Sequence, residues 1–248
     1  MNYSILTYER SVETMTINKI LDEFDRPRQY RRYNDFPILQ SATFILKRFF
    51  DYFSAALLLL ILTPLLALIS ILIMVNSPGL PLYKQLRKGK NQVPFYVYKF
   101  RTMVPNAHQK RCEMFDNNQV DGIIFKLKND PRITKVGAFL RKYSIDELPQ
   151  LINVLRGEMS LIGPRPFSVE VFEREFKEHK FYFNYWLQNR HKMLPGITGL
   201  WQVSGRNNLP FRQLMKFDLH YVNQWNLLLD IKILGRTIFV VINHYGAY

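Results

Sequence analysis

Two adjacent carboxylates are the residues of this chain most suited to chemistry. Asp146 and Glu147 follow a pair of cations, Arg141 and Lys142. One interpretation is structural, because Ser144 with Glu147 three residues later fits a capping box, and acids in a first turn complement the helix dipole. The other is catalytic, because a carboxylate can attack phosphorus and divide a difficult transfer into two steps. The motif alone leaves both interpretations open.

The elements predicted around this pair limit what it can do. Residues 144–156 are predicted to form a helix that Gly157 ends. Neighbouring residues on a helix point about 100° apart, so the two carboxylates cannot attack one centre. One would be the nucleophile and the other a metal ligand, a base or a cap. Phosphate substrates also need Mg²⁺ and cations, and five cations are candidates for binding them: Arg141, Arg165, Lys99, Arg101 and Arg206.

A long apolar segment indicates contact with a membrane. Residues 55–75 carry no charge, and this run exceeds the roughly 20 residues needed to span a bilayer. Both flanks are basic, so by the positive-inside rule both ends favour the cytoplasmic side. Pro64 lies near the midpoint and predicts a kink, while the Thr63 hydroxyl can bind a carbonyl that the kink frees. We therefore expect a bent, re-entrant helix rather than a straight span.

Composition narrows the partners. The 248 residues include 34 Lys and Arg against 20 Asp and Glu, a net charge of +14 that favours anionic partners. A lone cysteine, Cys112, excludes an internal disulfide and fits a reducing compartment. Dinucleotide and P-loop glycine motifs, an HExxH site, an Asp-x-Asp motif and a GxSxG elbow are all absent from the sequence. No nucleic-acid recognition module is visible, so no nucleic-acid partner is expected.

The other patterns predict an α-dominated α+β fold with short strands. Residues 95–101 alternate and are rich in aromatics, which is typical of a strand. The two prolines beside Arg165 predict a stiff, extended loop, and residues 195–206 read as a glycine-punctuated loop and strand. The predicted helices lie at residues 103–115, 133–142, 169–188, 211–221 and 227–242. The last of these suits a core helix or a helix lying at an interface.

Six motifs in order give the chain a family resemblance. They are Lys47-Arg48-Phe49-Phe50-Asp51, Tyr98-Lys99-Phe100-Arg101-Thr102-Met103, Asp130-Pro131-Arg132-Ile133-Thr134, Leu140-Arg141-Lys142 with Asp146-Glu147-Leu148-Pro149-Gln150, Ser160-Leu161-Ile162-Gly163-Pro164-Arg165-Pro166, and Pro195-Gly196-Ile197-Thr198-Gly199. Because the motifs occur in the family's order, the chain resembles the monotopic polyprenol-phosphate phosphoglycosyl transferases, the bacterial sugar transferase family. The resemblance covers roughly residues 44–242.

The resemblance implies a mechanism and a place in the cell. Asp146 would attack the sugar-bearing phosphorus of a UDP-sugar, release UMP and pass the phosphosugar to polyprenyl phosphate, with Mg²⁺ near Asp146. Arg141 would hold the lipid phosphate or the intermediate, and Arg165 belongs to the family's Pro-Arg-Pro loop; Glu147 completes the acidic pair. The expected location is the cytoplasmic face of the bacterial inner membrane. Membrane lipids, a second copy of the chain and downstream glycosyltransferases are further expected partners.

The sequence also departs from the family pattern. Thr63-Pro64 stands where members often have Ser-Pro, and Leu194 stands where a basic residue is common before Pro195. The expected organisation is a basic arm (residues 1–43), a re-entrant helix (44–76) and a cytosolic catalytic domain (77–248), without the extra domain of the long members. The competing hypothesis is a basic, membrane-anchored binding or scaffold protein without catalysis.

Overall fold

The computed structural model describes residues 38–107, 130–168, 180–206 and 209–243. The described residues from Thr43 onwards belong to one compact unit, Thr43–Tyr248. The basic N-terminal segment lies outside the described residues, as do most of the helix predicted at 103–115 and the first half of the one predicted at 169–188.

Within the described residues the fold is dominated by helices, with four short strands, as predicted. The helices are α1 (Ile38–Asn76), α2 (Lys135–Lys142), α3 (Gln150–Leu155), α4 (Lys180–Arg190), α5 (Leu200–Val203), α6 (Phe211–Gln224) and α7 (Leu227–Ile242), and the strands are β1 (Leu82–Lys88), β2 (Pro94–Phe100), β3 (Ser160–Ile162) and β4 (Gly196–Thr198). β1 and β2 pair antiparallel, whereas β3 and β4 pair parallel.

Helix α1 is continuous over 39 residues, with Pro64 inside it. At 1.5 Å per residue it is about 58 Å long, and its Ala42–Asn76 part is long and apolar enough to cross a membrane. Only 11% of its most apolar window is buried within the protein, so its apolar side chains mostly face outwards. The predicted bend and re-entrant path stay predictions.

Hydroxyl groups bind carbonyls inside this helix. Thr63 Oγ1 donates to the carbonyl of Leu59 at 2.6 Å, one turn earlier, and Ser70 Oγ donates to that of Leu66 at 2.8 Å. Pro64 has no N–H, so the carbonyl of Leu60 loses its regular donor. Hydroxyl bonds of this kind often accompany a bent helix.

Buried ion pairs fix the first part of α1 to the rest of the protein. Lys47 Nζ donates to Asp230 Oδ2 of α7 at 2.6 Å and to the carbonyl of Ile162 at 3.1 Å. Asp51 Oδ1 accepts a hydrogen bond of 3.0 Å from the hydroxyl of Ser160. Buried charges are stable only when paired in this way, so these contacts set where β3 lies against α1.

Arg101, the residue after β2, binds the chain just past the end of α1. The predicted breaker after residue 75 is confirmed, since α1 ends at Asn76 and Gly79 adopts φ +113°. The guanidinium of Arg101 donates to the carbonyls of Ser77, Pro78 and Gly79, at 2.5, 2.6 and 3.1 Å. The end of α1 and the end of β2 are therefore joined by one side chain.

The β1–β2 hairpin lies between two parts of the core. The strand predicted at 95–101 is confirmed as β2, and its buried residues pack into two clusters. One cluster contains Ala55, Phe95, Val97, Leu151, Val154 and Met159, and the other contains Ile69, Ile73, Phe100 and Leu140. The basic segment before it forms β1, which the sequence did not predict because an exposed strand lacks buried alternation.

Two glycines bring the loop after β3 against the strand β4. Gly163 N donates to the carbonyl of Thr198 at 2.9 Å, and Gly196 N donates to that of Pro164 at 3.0 Å. A Cβ added to Gly196 would lie 2.0 Å from Gly163 N, so a larger residue cannot fit there. This contact positions the extended loop that carries Arg165.

Gly137 in α2 offers a test of this packing. A Cβ at Gly137 would lie 2.0 Å from the backbone oxygen of Thr102, whereas one at Gly235 in α7 would meet nothing within 4 Å. We expect Gly137→Ala to lower the free energy of unfolding by about 1–3 kcal/mol. Gly235→Ala should be neutral or stabilise by at most about 1 kcal/mol. Thermal unfolding in detergent measures both, and equal stabilities would contradict the packing.

Candidate functional site

The acidic pair lies on a 3₁₀ turn, Ile145–Glu147. Ser144 before it adopts φ 56° and makes no side-chain capping bond. An N-cap residue needs an extended backbone to reach the next turn, so the predicted capping box is wrong. The Ser144 hydroxyl instead accepts a hydrogen bond from Arg206 Nη1 at 3.2 Å.

The predicted helix over residues 144–156 is divided. The 3₁₀ turn comes first, and α3 begins only at Gln150, after Pro149. The predicted end is confirmed, because Gly157 adopts φ 78° just past the helix. The division matters because it holds the carboxylates on a tight turn that α3 anchors, rather than on the surface of a regular helix.

Glu147 is held by two cations. Lys99 Nζ donates to Oε1 at 2.6 Å, and Arg165 donates to Oε1 at 2.6 Å and to Oε2 at 3.2 Å. Burial acts to raise the pKa of Glu147, but Arg165 and Lys99 outweigh it and hold the pKa well below its usual range. Glu147 is therefore ionised, and both of its oxygens are occupied.

Asp146 is in the opposite situation. No group in the described part of the chain donates a hydrogen bond to its carboxylate. Burial raises the pKa of Asp146 to about 6, and although Lys99 opposes the rise, the charge of Glu147 adds to it. At neutral pH such a carboxylate is mostly ionised but poorly solvated, which suits a nucleophile.

Lys99 reaches the turn because β2 is fixed against α3. The buried side chain of Asn153 accepts from the backbone N–H of Tyr98 at 3.1 Å and donates to the carbonyl of Tyr96 at 2.7 Å. These bonds hold the strand edge one residue before Lys99. Burial lowers the pKa of Lys99, and Glu147 opposes that shift.

Arg141 approaches the turn from α2. Thr134 Oγ1 accepts from Gly137 N at 2.9 Å and caps this helix. The last turn carries Arg141, whose Nε donates to Thr102 Oγ1 at 2.8 Å. Burial lowers the pKa of Arg141, whereas the carboxylates of Asp146 and Asp130 act to raise it. The guanidinium of Arg141 therefore lies within electrostatic range of the acidic pair.

The structure brings four of the five predicted cations around one turn. Lys99 and Arg165 bind Glu147, Arg141 is coupled to Asp146, and Arg206 binds the residue before the turn. Arg101 differs, because its guanidinium binds the three carbonyls after α1. The roles of all five in binding phosphate stay predictions.

Several residues that build the site were not singled out from the sequence. Asn153 interrupts an apolar run inside α3, and a polar residue in such a run is a signal of a buried hydrogen-bonding role. Lys47 lies in the first of the six family motifs, but no role was predicted for it. Asp230 likewise interrupts an apolar run, in α7, whereas Arg190 and Asp218 carried no signal that distinguishes them from surface charges.

Comparison with known proteins identifies the family. A family model described as bacterial sugar transferase matches residues 42–244. The chain belongs to the bacterial sugar transferase family. The match covers almost all of the residues that the structure describes, including the six ordered motifs and the turn with Asp146 and Glu147.

Three curated relatives show the range of this similarity. The galactosyl transferase CpsE of Streptococcus agalactiae serotype III is 42% identical over 82% of this chain and 43% of its own length. The undecaprenyl-phosphate galactose phosphotransferase of Salmonella typhimurium is 44% identical over 82% of this chain and 42% of its own. The exopolysaccharide production protein ExoY of Sinorhizobium fredii is 42% identical, over 82% and 88%. The chain thus spans less than half of the first two and most of ExoY.

The acidic pair of this family member leaves one carboxylate for a metal. The described residues contain no group of three or more His, Cys, Asp or Glu side chains that could hold an ion. Mg²⁺ is usually bound by one or two carboxylates together with substrate phosphates and water. Asp146 with a diphosphate fits that pattern, whereas Glu147 is already occupied by cations.

The ion pairs of Glu147 predict a pH-dependent stability. Because its pKa is lower in the folded protein than the usual 4.5, they stabilise the fold above that value and cease to do so as the pH falls. We expect Glu147→Gln to lower the free energy of unfolding by about 1–3 kcal/mol at pH 7. The difference from the wild type should shrink below about pH 4.5. Denaturant unfolding at several pH values measures it, and a constant difference would indicate lost packing instead.

Proposed function

We propose that this chain transfers a sugar 1-phosphate from a UDP-sugar to polyprenyl phosphate through a covalent intermediate on Asp146. Support comes from the family and from relatives named for this reaction, among them UDP-glucose:undecaprenyl-phosphate glucose-1-phosphate transferase of Escherichia coli. The product would be polyprenyl-diphosphate-sugar, a first membrane-bound precursor for exopolysaccharide or capsule assembly.

The observation that carries the proposal is the contrast between two neighbouring carboxylates. Glu147 is locked by Lys99 and Arg165, while Asp146 accepts no hydrogen bond from the described residues and has a pKa raised to about 6. Nucleophilic attack needs a carboxylate that is ionised, weakly solvated and unoccupied. Asp146 meets these conditions, and Glu147 does not.

The first step exchanges one bond at phosphorus for another. An oxygen of Asp146 bonds to the phosphorus that carries the sugar, and the bond from that phosphorus to the oxygen shared with the uridine-bearing phosphate breaks. UMP leaves with that oxygen and the electron pair. The sugar phosphate is then held on Asp146 as a mixed acyl phosphate.

The second step releases the carboxylate. A phosphate oxygen of polyprenyl phosphate attacks the same phosphorus, and the bond to Asp146 breaks. The carboxylate returns unchanged, so the enzyme needs no net proton for the cycle. In-line displacement at phosphorus depends on positioning and on charge stabilisation, which the cations around the turn supply.

The cations divide between holding the turn and holding substrate. Lys99 and Arg165 keep Glu147 in place, and their positive charge also faces Asp146. Arg141, anchored on Thr102, would bind the lipid phosphate or the intermediate, and Arg206 would bind the nucleotide phosphates. Mg²⁺ would be held by one oxygen of Asp146 together with the diphosphate, which leaves the other oxygen for attack, and it would supply neutralisation of the substrate's negative charge.

The proposed membrane arrangement is monotopic, with both ends of α1 on the cytoplasmic side of the bacterial inner membrane. Residues before and after Pro64 pack on the same domain: Ala55 shares a cluster with Phe95, and Ile69 shares one with Phe100. Phe95 and Phe100 belong to one strand, β2. A helix that crossed the bilayer would carry these two halves to opposite leaflets, so this shared contact supports a path on one side.

Helix α7 would lie beside α1 at the lipid surface. It is tied to α1 through the Lys47–Asp230 ion pair, and it exposes a row of large apolar residues: Leu228, Ile231, Leu234, Ile238, Phe239 and Ile242. A helix that exposes apolar side chains next to a membrane segment is suited to the interface. The 3₁₀ turn with Asp146, and the cations around it, would then lie close to the lipid headgroups.

Replacement of the nucleophile tests the reaction. We expect wild-type protein with Mg²⁺ and UDP-glucose or UDP-galactose to release UMP continuously when undecaprenyl phosphate is present. Without the lipid it should release no more than one equivalent and gain the mass of a hexose phosphate. Asp146→Asn should lose both signals because an amide is not a nucleophile, and Glu147→Gln should be slower but retain them.

The outcomes separate the alternatives. Undiminished UMP release by Asp146→Asn would exclude this residue as the nucleophile. Release that always requires the lipid, with no mass gain, would indicate direct transfer. No UMP from any UDP-sugar would leave the binding or scaffold hypothesis.

The membrane path has its own test. Single cysteines placed just before Phe49 and just after Pro81, in a Cys112→Ser background, are labelled from either side of sealed vesicles. Labelling from the same side is expected for both. Labelling from opposite sides would establish a spanning helix and remove the monotopic arrangement.

A further inference from the structure

Arg190, at the end of α4, is a buried cation outside the immediate site. Its side chain is 2% exposed, and its Nε lies 3.0 Å from Asp218 Oδ2 of α6. Its guanidinium stacks over the rings of Phe167 and Trp186, at 4.7 and 4.5 Å from their centres. Its Nη2 donates to the backbone carbonyl of Arg165.

Stability alone does not account for this arrangement. Burying a charged pair costs desolvation energy, and well-packed apolar residues of similar volume are often at least as stable. Asp218 is further fixed by Trp186, whose Nε1 donates to the same carboxylate oxygen at 3.1 Å. Two helices thus contribute a rigid donor that points at one carbonyl of a loop.

The carbonyl that Arg190 binds belongs to the residue that pairs with Glu147. Pro164 and Pro166 fix φ on either side of Arg165, which leaves the orientation of the Arg165 carbonyl to be set by its contacts. Arg190 fixes the backbone end of Arg165, and Glu147 fixes the guanidinium end. The position of the arginine fork beside Asp146 therefore depends on both contacts.

We propose that Arg190, backed by Asp218 and Trp186, is a positioning residue that sets the Arg165 loop for phosphoryl transfer. It acts through the Arg165 backbone and does not touch substrate. The kinetic part of this inference rests on the proposed function. A displacement of about 1 Å in a positioning group can cost as much as a hundredfold in rate, so the effect should fall on kcat rather than on the KM for the UDP-sugar.

A pair of variants separates positioning from simple stability. Arg190→Met removes the donor and leaves Asp218 as an unpaired buried charge, so both Tm and kcat should fall. Arg190→Met with Asp218→Asn removes both charges but keeps an oxygen for Trp186, so Tm should recover much of its loss. We expect kcat of UMP release to stay about tenfold to a hundredfold below wild type in the double variant, with KM changed less than threefold.

The control is Asn226→Ala, which removes the N-cap of α7 and should lower Tm while leaving kcat within twofold. Recovery of kcat together with Tm in the double variant would show that Arg190 is merely structural. A kcat within twofold of wild type in Arg190→Met would also overturn the proposal.

Hydrogen–deuterium exchange gives a readout that does not need activity. In the folded double variant, exchange should be faster in a peptide covering residues 163–168 and unchanged in one covering 227–242. Unchanged exchange in the first peptide would refute the inference whatever the kinetics. If wild-type protein releases no UMP while exchange changes as expected, the proposed reaction fails and the loop-positioning contact stands.

Discussion

The ion pairs of Glu147 with Lys99 and Arg165 are the interaction on which the site depends. They join the 3₁₀ turn to strand β2 and to the proline-bounded loop. Lys99 and Arg165 lie 48 and 18 positions from Glu147 in the sequence. Because Glu147 takes up Lys99 and Arg165, the carboxylate of Asp146 accepts no hydrogen bond from the residues that the structure describes. These two consecutive, partly buried acids therefore have pKa values that move in opposite directions, with Glu147 below and Asp146 above the usual range.

The sequence indicated which residues lie together more reliably than how they are held. The acidic pair, four nearby cations, β2 and the last two helices could all be predicted, because residue type and periodicity carry that information. The capping box failed because a left-handed Ser144 has a backbone that no sequence pattern revealed. β1 was missed because an exposed strand has no buried face to alternate. The contacts of Arg101 with the carbonyls after α1 were not predicted, and its role in binding phosphate stays a prediction.

What the sequence could not supply is the pairing of distant buried charges. Lys47 and Asp230 are 183 residues apart, yet they meet at 2.6 Å. Local sequence does not identify the partner of either residue, because their pairing follows from how α1 and α7 pack. In this protein the pair joins α1 to α7, and loss of either partner would leave an uncompensated buried charge.

The clamp of Arg101 on the carbonyls after α1 has a mechanical consequence. Only one residue separates Arg101 from Lys99, and Thr102 beside it holds Arg141. The end of α1 and the turn that carries Asp146 are therefore linked through the short segment Lys99–Thr102. In the proposed monotopic arrangement the depth at which α1 settles in lipid would set the height of Asp146 above the headgroups, so bilayer thickness itself would be a variable of the reaction rate.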